Sequence, residues 1–382
     1  MSDTAHPLLP PATPVLRCPD GSVQVGGVDS ADGVLVPPGA GWAAGVLAGL
    51  DGRRTQRTVV NDAARAGLPA DEVAALVQGV RAAGLVVDLD PADLLATDAG
   101  PAAQARSAPE LAAAVAGDGS RWRARRAASV VVDGATRVGV PLAAVLAGSG
   151  VGRVSVRDGG VTSAGDAVAG GLTAADEGRP RSVAAADAVR RVNPLTDLRP
   201  APEGCSGAPV ADIVVLARPW AASDPLVAGL QRGGVTHLVA AVRGQTGIVG
   251  PLVVPGRTSC LRCADLHRRD ADPRWPALAA QLTAAEPPPS GATTTCLLTA
   301  LTAAVQVLAY LDGAGAPAAL GAALELRPPD PAPRLRRWPP HPSCGCLDSA
   351  LTGPDAAQGT PLGGSVSRRD GSSAPSRVTM AR

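Results

Sequence analysis

The 382-residue sequence contains no lysine: all 35 of its basic residues are arginine. Chemistry that needs an ε-amine is thereby excluded, including a Schiff base, a phosphate-loop lysine or a catalytic lysine. Phenylalanine is absent too, and the aromatic residues are five tryptophans and one tyrosine. With high Ala, Arg, Gly and Pro usage, this is the pattern of a GC-rich coding bias, in which Arg replaces Lys and Leu or Val replaces Phe. Excess charge is also missing. The 35 basic residues face 34 acidic ones, for a net charge of +1, which argues against a nucleic-acid or membrane-surface binder acting through bulk electrostatics. We find no run of about 18 uncharged apolar residues and no basic segment leading into an apolar one at the N-terminus, so neither a membrane span nor a signal peptide is expected and the expected location is cytoplasmic. In a reducing compartment the seven cysteines, Cys18, Cys205, Cys260, Cys263, Cys296, Cys344 and Cys346, are thiols, metal ligands or catalysts rather than a disulfide framework.

The chain is longer than one domain usually is, and its hydrophobic patterning divides it. Residues 7–90 form a first unit. From Val15 to Val36 short β-prone runs alternate with turn signals (Pro19-Asp20-Gly21, Gly26-Gly27, Pro37-Pro38-Gly39), predicting two or three small strands. Three helices follow: one over Trp42, Val46, Leu47 and Leu50, one from Thr58 to Ala66, and one opened by Pro69-Ala70-Asp71-Glu72. The third carries Val73, Leu76, Val77 and Val80 on one stripe and stops at Gly84. Leu85-Val86-Val87 resumes a strand, and the whole has the outline of a winged helix. Residues 91–126 read as a linker with one helix, Pro109 to Ala116, ending in Arg121, Arg123, Arg125 and Arg126, a solvated basic rim. From 127 to 348 strands at Ser129–Val132, Val154–Val156, Asp212–Ala217 and Thr236–Val242 alternate with helices at Val138–Ala147 and Pro225–Arg232, predicting an α/β, doubly wound, mostly parallel sheet, followed by a long apolar helix from about Thr294 to Leu311. The tail, 349–382, has little to bury and is expected to be disordered.

Two motifs carry chemistry. Cys260-Leu261-Arg262-Cys263 and Cys344-Gly345-Cys346 each supply two thiols from a tight turn, as a tetrahedral four-thiolate zinc site requires. Such a closed site has no open coordination position, so its zinc is structural rather than catalytic; four unrelated buried thiols or a redox pair are the alternative. The second motif, Val132-Asp133-Gly134-Ala135-Thr136-Arg137-Val138-Gly139, has the frame of a dinucleotide-type glycine turn between strand and helix, with Thr136 crowding the middle glycine position. Asp158 ends the next strand about 20 residues on, where a carboxylate bonds a ribose. Cys296 opens the long helix, as an activated nucleophile or a buried structural thiol. His237 reads as a core histidine, and Asp265 and His267 as groups that orient a thiolate or cap a turn. No Ser/His/Asp ordering or paired carboxylates stand out, and no catalytic residue is nominated.

From about 127 to 348 the chain resembles the ThiF/MoeB/HesA superfamily, the bacterial relatives of ubiquitin-activating enzymes. The matching residues are Ser129 to Gly139, Val151-Gly152-Arg153-Val154 leading to Asp158, Asp212 to Ala217, and Gly250-Pro251-Leu252-Val253-Val254-Pro255-Gly256-Arg257-Thr258-Ser259-Cys260-Leu261-Arg262-Cys263. Cys344 and Cys346 match the closing pair of that family's zinc site. The N-terminal unit, from Pro7-Leu8-Leu9-Pro10 through Asp20-Gly21 to Gly84-Leu85-Val86-Val87, resembles the leader-peptide-recognition winged helix of ribosomal-peptide modification proteins. Together they are similar to the leader-binding partner of azoline-forming cyclodehydratases. The resemblance implies a precursor leader added as a strand to the small sheet, a separate ATP-dependent cyclodehydratase as partner, structural zinc, and pairing of two copies through the sheet domain.

Active relatives also use ATP and magnesium, and here the chain departs from them. The resemblance places a degenerate nucleotide site on Gly134, Gly139, Asp158 and Arg181. After Asp158, however, there is neither the Asn nor the Arg that contacts the triphosphate in active members. The lysine of a Gly-x-x-Lys turn corresponds to Arg181 in Gly178-Arg179-Pro180-Arg181, with Asn193-Pro194 following. Loss of one such donor typically lowers the rate about 10²-fold or more. Three functions are therefore expected in order: a non-catalytic leader-binding scaffold, an adenylyltransferase acting on a peptide C-terminus, and a winged-helix DNA regulator resting on Arg53, Arg54, Arg57 and Arg65.

Overall fold

The computed structural model describes residues 4–347 apart from 11–12, 29–32, 90–109, 111–119, 221, 223, 285–290, 314 and 331. The tail expected over 349–382 and most of the expected linker, with its helix at 109–116 apart from Glu110, lie outside the described residues. The chain divides into two compact units, broadly 1–123 and 124–360.

In the first unit β1 (His6–Leu8) pairs antiparallel with β5 (Val87–Leu89), and β2 (Val15–Arg17), β3 (Val23–Gly26) and β4 (Gly33–Val36) form an antiparallel sheet in that order. Helices α1 (Ala43–Ala48), α2 (Gln56–Arg65) and α3 (Ala70–Ala82) cover it. Thr55 caps α2 by accepting from Thr58 N–H, and Asp71 and Glu72 sit at the positive end of α3, as capping and the helix dipole favour. Val73, Leu76, Val77 and Val80 are all buried, so the stripe read from spacing is the face that meets the sheet. Backbone register gives β4 a particular edge. Cys18 N–H donates to Ser22 O and Gly26 N–H to Pro14 O, so Val23 and Val25 turn their backbone groups the other way, toward β4. Their partners are Val36 and Val34, which leaves Leu35 presenting its N–H and C=O to the unpaired side.

The second unit is built on a seven-stranded sheet of order β12-β11-β10-β9-β8-β6-β7. Its strands are β6 (Ser129–Asp133), β7 (Arg153–Arg157), β8 (Ile213–Leu216), β9 (His237–Arg243), β10 (Thr246–Val253), β11 (Ala322–Leu326) and β12 (Arg334–Arg337). The parallel reading holds for β7, β6, β8 and β9. It must be corrected for the other half, where β10, β11 and β12 continue as an antiparallel meander. The β9–β10 connection is a tight turn at Gly244-Gln245, and no crossover helix fits in so short a link.

Both faces of the sheet are covered. On one, α5 (Gly139–Gly148) and α10 (Thr293–Asp312) close over Val130, Val132, Ile213, Val215, Leu238 and Ala240. There α6 (Arg181–Val192) adds a layer of Ala184, Ala185 and Ala188. On the other, Val131, Val214, Leu216 and Val239 meet α7 (Pro225–Arg232) and the start of α8 (Leu261–Ala271), and α9 (Trp275–Ala284) follows. Alternate residues of each strand serve opposite cores, which is why these strands are nearly continuous in apolar residues.

The apolar-run expectation also needs correction, because α10 is long and apolar enough by length and composition to cross a membrane, with a mean hydropathy of 1.6. Its inner face, Cys296, Ala300, Ala303, Ala304 and Val307, is buried in the sheet core, which is the behaviour of a central helix in a globular unit. At its end Asp312 receives a two-pronged bond from Arg125 of α4 (Ser120–Ala127), with N···O distances of 2.7 and 2.6 Å. Arg125 is buried, so the basic cluster is not wholly the solvated rim that its composition suggested. Removing one partner of a buried pair strands the other charge. Asp312→Ala is expected to lower unfolding stability by about 3 kcal/mol, measured by chemical denaturation, with Arg125→Met less damaging because it leaves no buried cation.

Candidate functional site

Gly134 and Gly139 do what the glycine-turn frame requires. Gly134 has φ 116°, and a Cβ at Gly139 would lie 2.0 Å from Gly134 O, so α5 can approach β6 this closely only without side chains there. Thr136, between them, is the departure that matters. Its hydroxyl donates to Ala217 O at 2.8 Å and accepts from Val138 N–H at 3.3 Å and Gly139 N–H at 3.1 Å. Helix N-termini bind anions through amides of this kind, and here a side chain already satisfies them. Two amides flanking it are committed as well. Gly134 N–H goes to Arg157 O and Val140 N–H to Thr136 O, while Pro141 has no N–H to offer.

Asp158 and Arg181 are brought to the same place and are likewise engaged. The Asp158 carboxylate accepts from Ala135 N–H and Gly160 N–H, both at 2.8 Å. Arg181 lies 3.1 Å from Asp166 and 3.9 Å from Asp158. Asp166 itself caps a short 3₁₀ turn through Ser163. The Arg181 guanidinium therefore lies against two carboxylates of this chain. Sequence reasoning passed over a further closure: Arg218, just beyond β8, bridges Asp133 at the end of β6 and Asp224 at the start of α7. Burial raises the Asp133 pKa while Arg218 opposes it. The Val138 and Gly139 amides are thus capped, Asp158 is bonded internally, and Arg181 and Arg218 are paired with acids, whereas the Thr136 and Arg137 N–H groups have no partner among the described residues.

The four cysteines of the second motif converge. Cys260 and Cys263 Sγ are 3.9 Å apart, Cys260 and Cys344 3.6 Å, and Cys263 and Cys346 3.5 Å, and all four lie within 4.8 Å of one another. A tetrahedron with metal–sulfur bonds of about 2.3 Å has edges of about 3.8 Å, so this cluster is compatible with a structural zinc ion. Burial pushes the Cys260 thiol up, and burial with the neighbouring Cys263 pushes Cys346 up to about 11; at Cys263 burial is outweighed by hydrogen bonds from His341, Cys260 and Cys346, which hold its thiol down. Four thiolates this close need a cation to coexist. The loop carrying the second pair is oriented by His341, which accepts from Ser343 N–H, contacts Asp270 at 2.7 Å, and takes Cys344 N–H on its carbonyl.

The lone candidates resolve differently. His267 donates to Pro339 O, and Asp265 accepts from Ala222 N–H, Arg268 and Trp275; neither contacts a thiol. Cys296 is fully buried and burial raises its pKa, which fits a structural thiol. His237 is only half satisfied: its Nδ1 bonds Val235 O at 2.9 Å, and Nε2 has no partner. It lines a cavity of about 950 Å³ with Cys260, Cys344 and Cys346.

An open α/β sheet with a glycine turn at its parallel end has the form of a nucleotide-binding type of fold, here with a four-cysteine cluster compatible with a structural metal. The ThiF family profile matches residues 108–346, and the chain belongs to the ThiF family. Among solved structures it is similar to Escherichia coli MccB with ATP, at 14% identity over 89% of this chain and 99% of that one, TM-score 0.56. It is equally similar, with the same identity, coverage and TM-score, to the microcin C7 biosynthetic enzyme MccB in complex with N-formylated MccA. Selenomethionine PaaA matches at 16% identity over 70% of this chain and 92% of that one, TM-score 0.54. These likenesses establish the fold. No curated protein matches the sequence.

Two outcomes are expected. The purified chain carries one zinc per molecule by elemental analysis, and Cys263→Ser loses it; a metal-free wild type would refute the staple. Burial lowers the His237 pKa from 6.5 to about 4, so the folded state binds fewer protons there than the unfolded chain. The stability that His237 contributes as a neutral group is full above about pH 6.5 and falls as pH drops toward 4, by up to about 3 kcal/mol. Unfolding followed against pH shows this slope in the wild type and not in His237→Leu.

Proposed function

We propose that this chain is a non-catalytic ThiF-family scaffold. Its first unit, read as a winged helix, captures the leader of a ribosomal precursor peptide. Its zinc-stapled sheet unit docks a separate ATP-dependent cyclodehydratase that forms thiazoline or oxazoline rings on the precursor. The observation that carries the non-catalytic half is Thr136, whose hydroxyl occupies the α5 amides that a phosphate would need. An adenylyltransferase built on this fold would have to break that cap, the Asp158 bonds and the Arg181 ion pairs before ATP could sit.

The leader-binding half is supported by β4. It is an edge strand beside α3, and it offers a free N–H and C=O at Leu35, which is itself 40% exposed. An incoming strand needs such an edge for backbone pairing and a neighbouring helix to receive alternate side chains.

Synthetic leader segments of a precursor encoded beside the chain are expected to bind at micromolar concentration without ATP. Leu35→Pro removes an outward N–H at the middle of β4 while remaining compatible with an edge strand, and is expected to weaken binding about tenfold or more by fluorescence anisotropy. Pyrophosphate exchange by the chain alone is expected to be nil. ATP-dependent exchange would overturn the scaffold reading in favour of adenylation, and salt-sensitive binding to duplex DNA in place of peptide would favour a regulator.

A further inference from the structure

A smaller concavity of about 260 Å³ lies on the face of the sheet that carries α8. Val239, Ala241 and Arg243 reach it from alternate positions of β9, with Trp220, Ile248 and Leu282 among its apolar walls. Arg243 is the last residue of β9, so the concavity opens at the carboxyl end of a parallel strand, where open α/β sheets collect ligands. What sets it apart is that Arg243 makes no hydrogen bond or ion pair with any described residue, although most of the other arginines around the sheet's carboxyl end are paired.

The neighbourhood does not relieve this. The nearest acid to influence Arg243 is Asp265, but its oxygens are taken by Ala222 N–H, Arg268 and the Trp275 indole. Arg268, the second cation at the concavity, is fixed in place. It pairs with Asp265 at 3.0 Å and lies 5.6, 5.0 and 4.5 Å from the ring centres of Trp220, Trp275 and Trp338. Three of the five tryptophans of the chain thus hold one arginine still, and its charge repels Arg243 without bonding to it. Burial depresses the pKa values of both guanidinium groups, Arg268 to about 10. An unpaired, desolvated cation is destabilising, and an anion seated against it removes that strain.

The form of the anion follows from the donors and the walls. A guanidinium presents a planar fork that matches a carboxylate through two parallel bonds. The enclosing side chains are apolar, so the rest of the ligand is apolar, and the volume admits a body about the size of one aliphatic side chain. We infer that this concavity binds the carboxylate of a small apolar acid, free or as the last residue of a peptide, with Arg243 as the two-pronged donor. This does not depend on the leader site or on the zinc.

The test uses the full-length, metal-loaded chain with three probes: isovalerate, N-acetyl-leucine and N-acetyl-leucinamide, titrated by calorimetry and by tryptophan fluorescence. Binding of at least one acid is expected, with a loss of about tenfold or more for the amide and for Arg243→Gln. Equal binding of isovalerate and N-acetyl-leucine identifies a free acid as the ligand, and binding of N-acetyl-leucine alone identifies a peptide terminus. No binding of either acid up to 10 mM, or equal binding of acid and amide, overturns the inference. A second readout needs no ligand. Arg243→Gln is expected to raise the thermal midpoint by relieving the unpaired charge, and a fall in the midpoint shows that Arg243 serves the fold instead.

Discussion

The sheet unit is organised by the contact between α5 and β6. Its closeness is fixed by Gly139, where even a methyl group would collide with the Gly134 carbonyl. From that contact follow the depth at which Val140 and Leu142 are buried, the position of α6 against α5, and the placement of the α5 N-terminus at the parallel end of the sheet. In an enzyme that handles nucleotides this junction is where the protein spends its unsatisfied amides on a phosphate. Here the same junction is retained for packing while Thr136 takes over the amides. The close packing is thus kept by the glycines, while the residue between them takes two amides of the helix start.

A second constraint acts at the opposite side of the sheet. The CxxC pair opens α8 shortly after β10, and the closing pair arrives some 80 residues later on a loop held by His341. The segment between them carries α9, α10, β11 and β12. A metal at this cluster would close a long chain segment into a loop, which restricts the unfolded ensemble much as a disulfide does. The two outer antiparallel strands, β11 and β12, and the long helix α10 are the part enclosed. The four thiols and the outer strands can therefore be understood together: a metal held there would tie β11 and β12 back to the start of α8.

Legibility in the sequence followed periodicity. The strands at Ser129, Val154, Ile213 and His237, the helix Pro225–Arg232 and the α3 stripe were readable because burial on both faces or on one helical stripe leaves a regular apolar signature. β1 and β12 were not: a three-residue strand and the sequence Arg334-Leu335-Arg336-Arg337 carry no such pattern, and their pairing is decided by partners distant in the chain. The cysteines and the glycine frame could be named from spacing alone. What spacing cannot show is occupancy of hydrogen-bonding capacity. That Thr136 caps rather than merely crowds, that Asp158 is bonded to Ala135, and that Arg125 is buried on Asp312 are facts of three-dimensional proximity between residues 23 to 187 positions apart, or within a single turn.

The absence of lysine acquires a physical meaning through these pairings. Arginine holds carboxylates in a planar, two-pronged geometry that an ammonium cannot reproduce, and this chain uses it so at Asp312 and Asp197. Replacing the family's lysine with Arg181 therefore does more than preserve a charge. A flexible ammonium can turn from a carboxylate to an arriving phosphate at little cost, whereas the Arg181 guanidinium, bonded to Asp166 and close to Asp158, loses both attractions if it moves. A coding bias indifferent to function would have this effect only where acids stand ready to receive the fork, and Asp158 and Asp166 do. The same reasoning makes Arg243 informative: in a protein whose arginines around the sheet are mostly fixed by acids or aromatic faces, it is one that has no acid or carbonyl partner among the described residues.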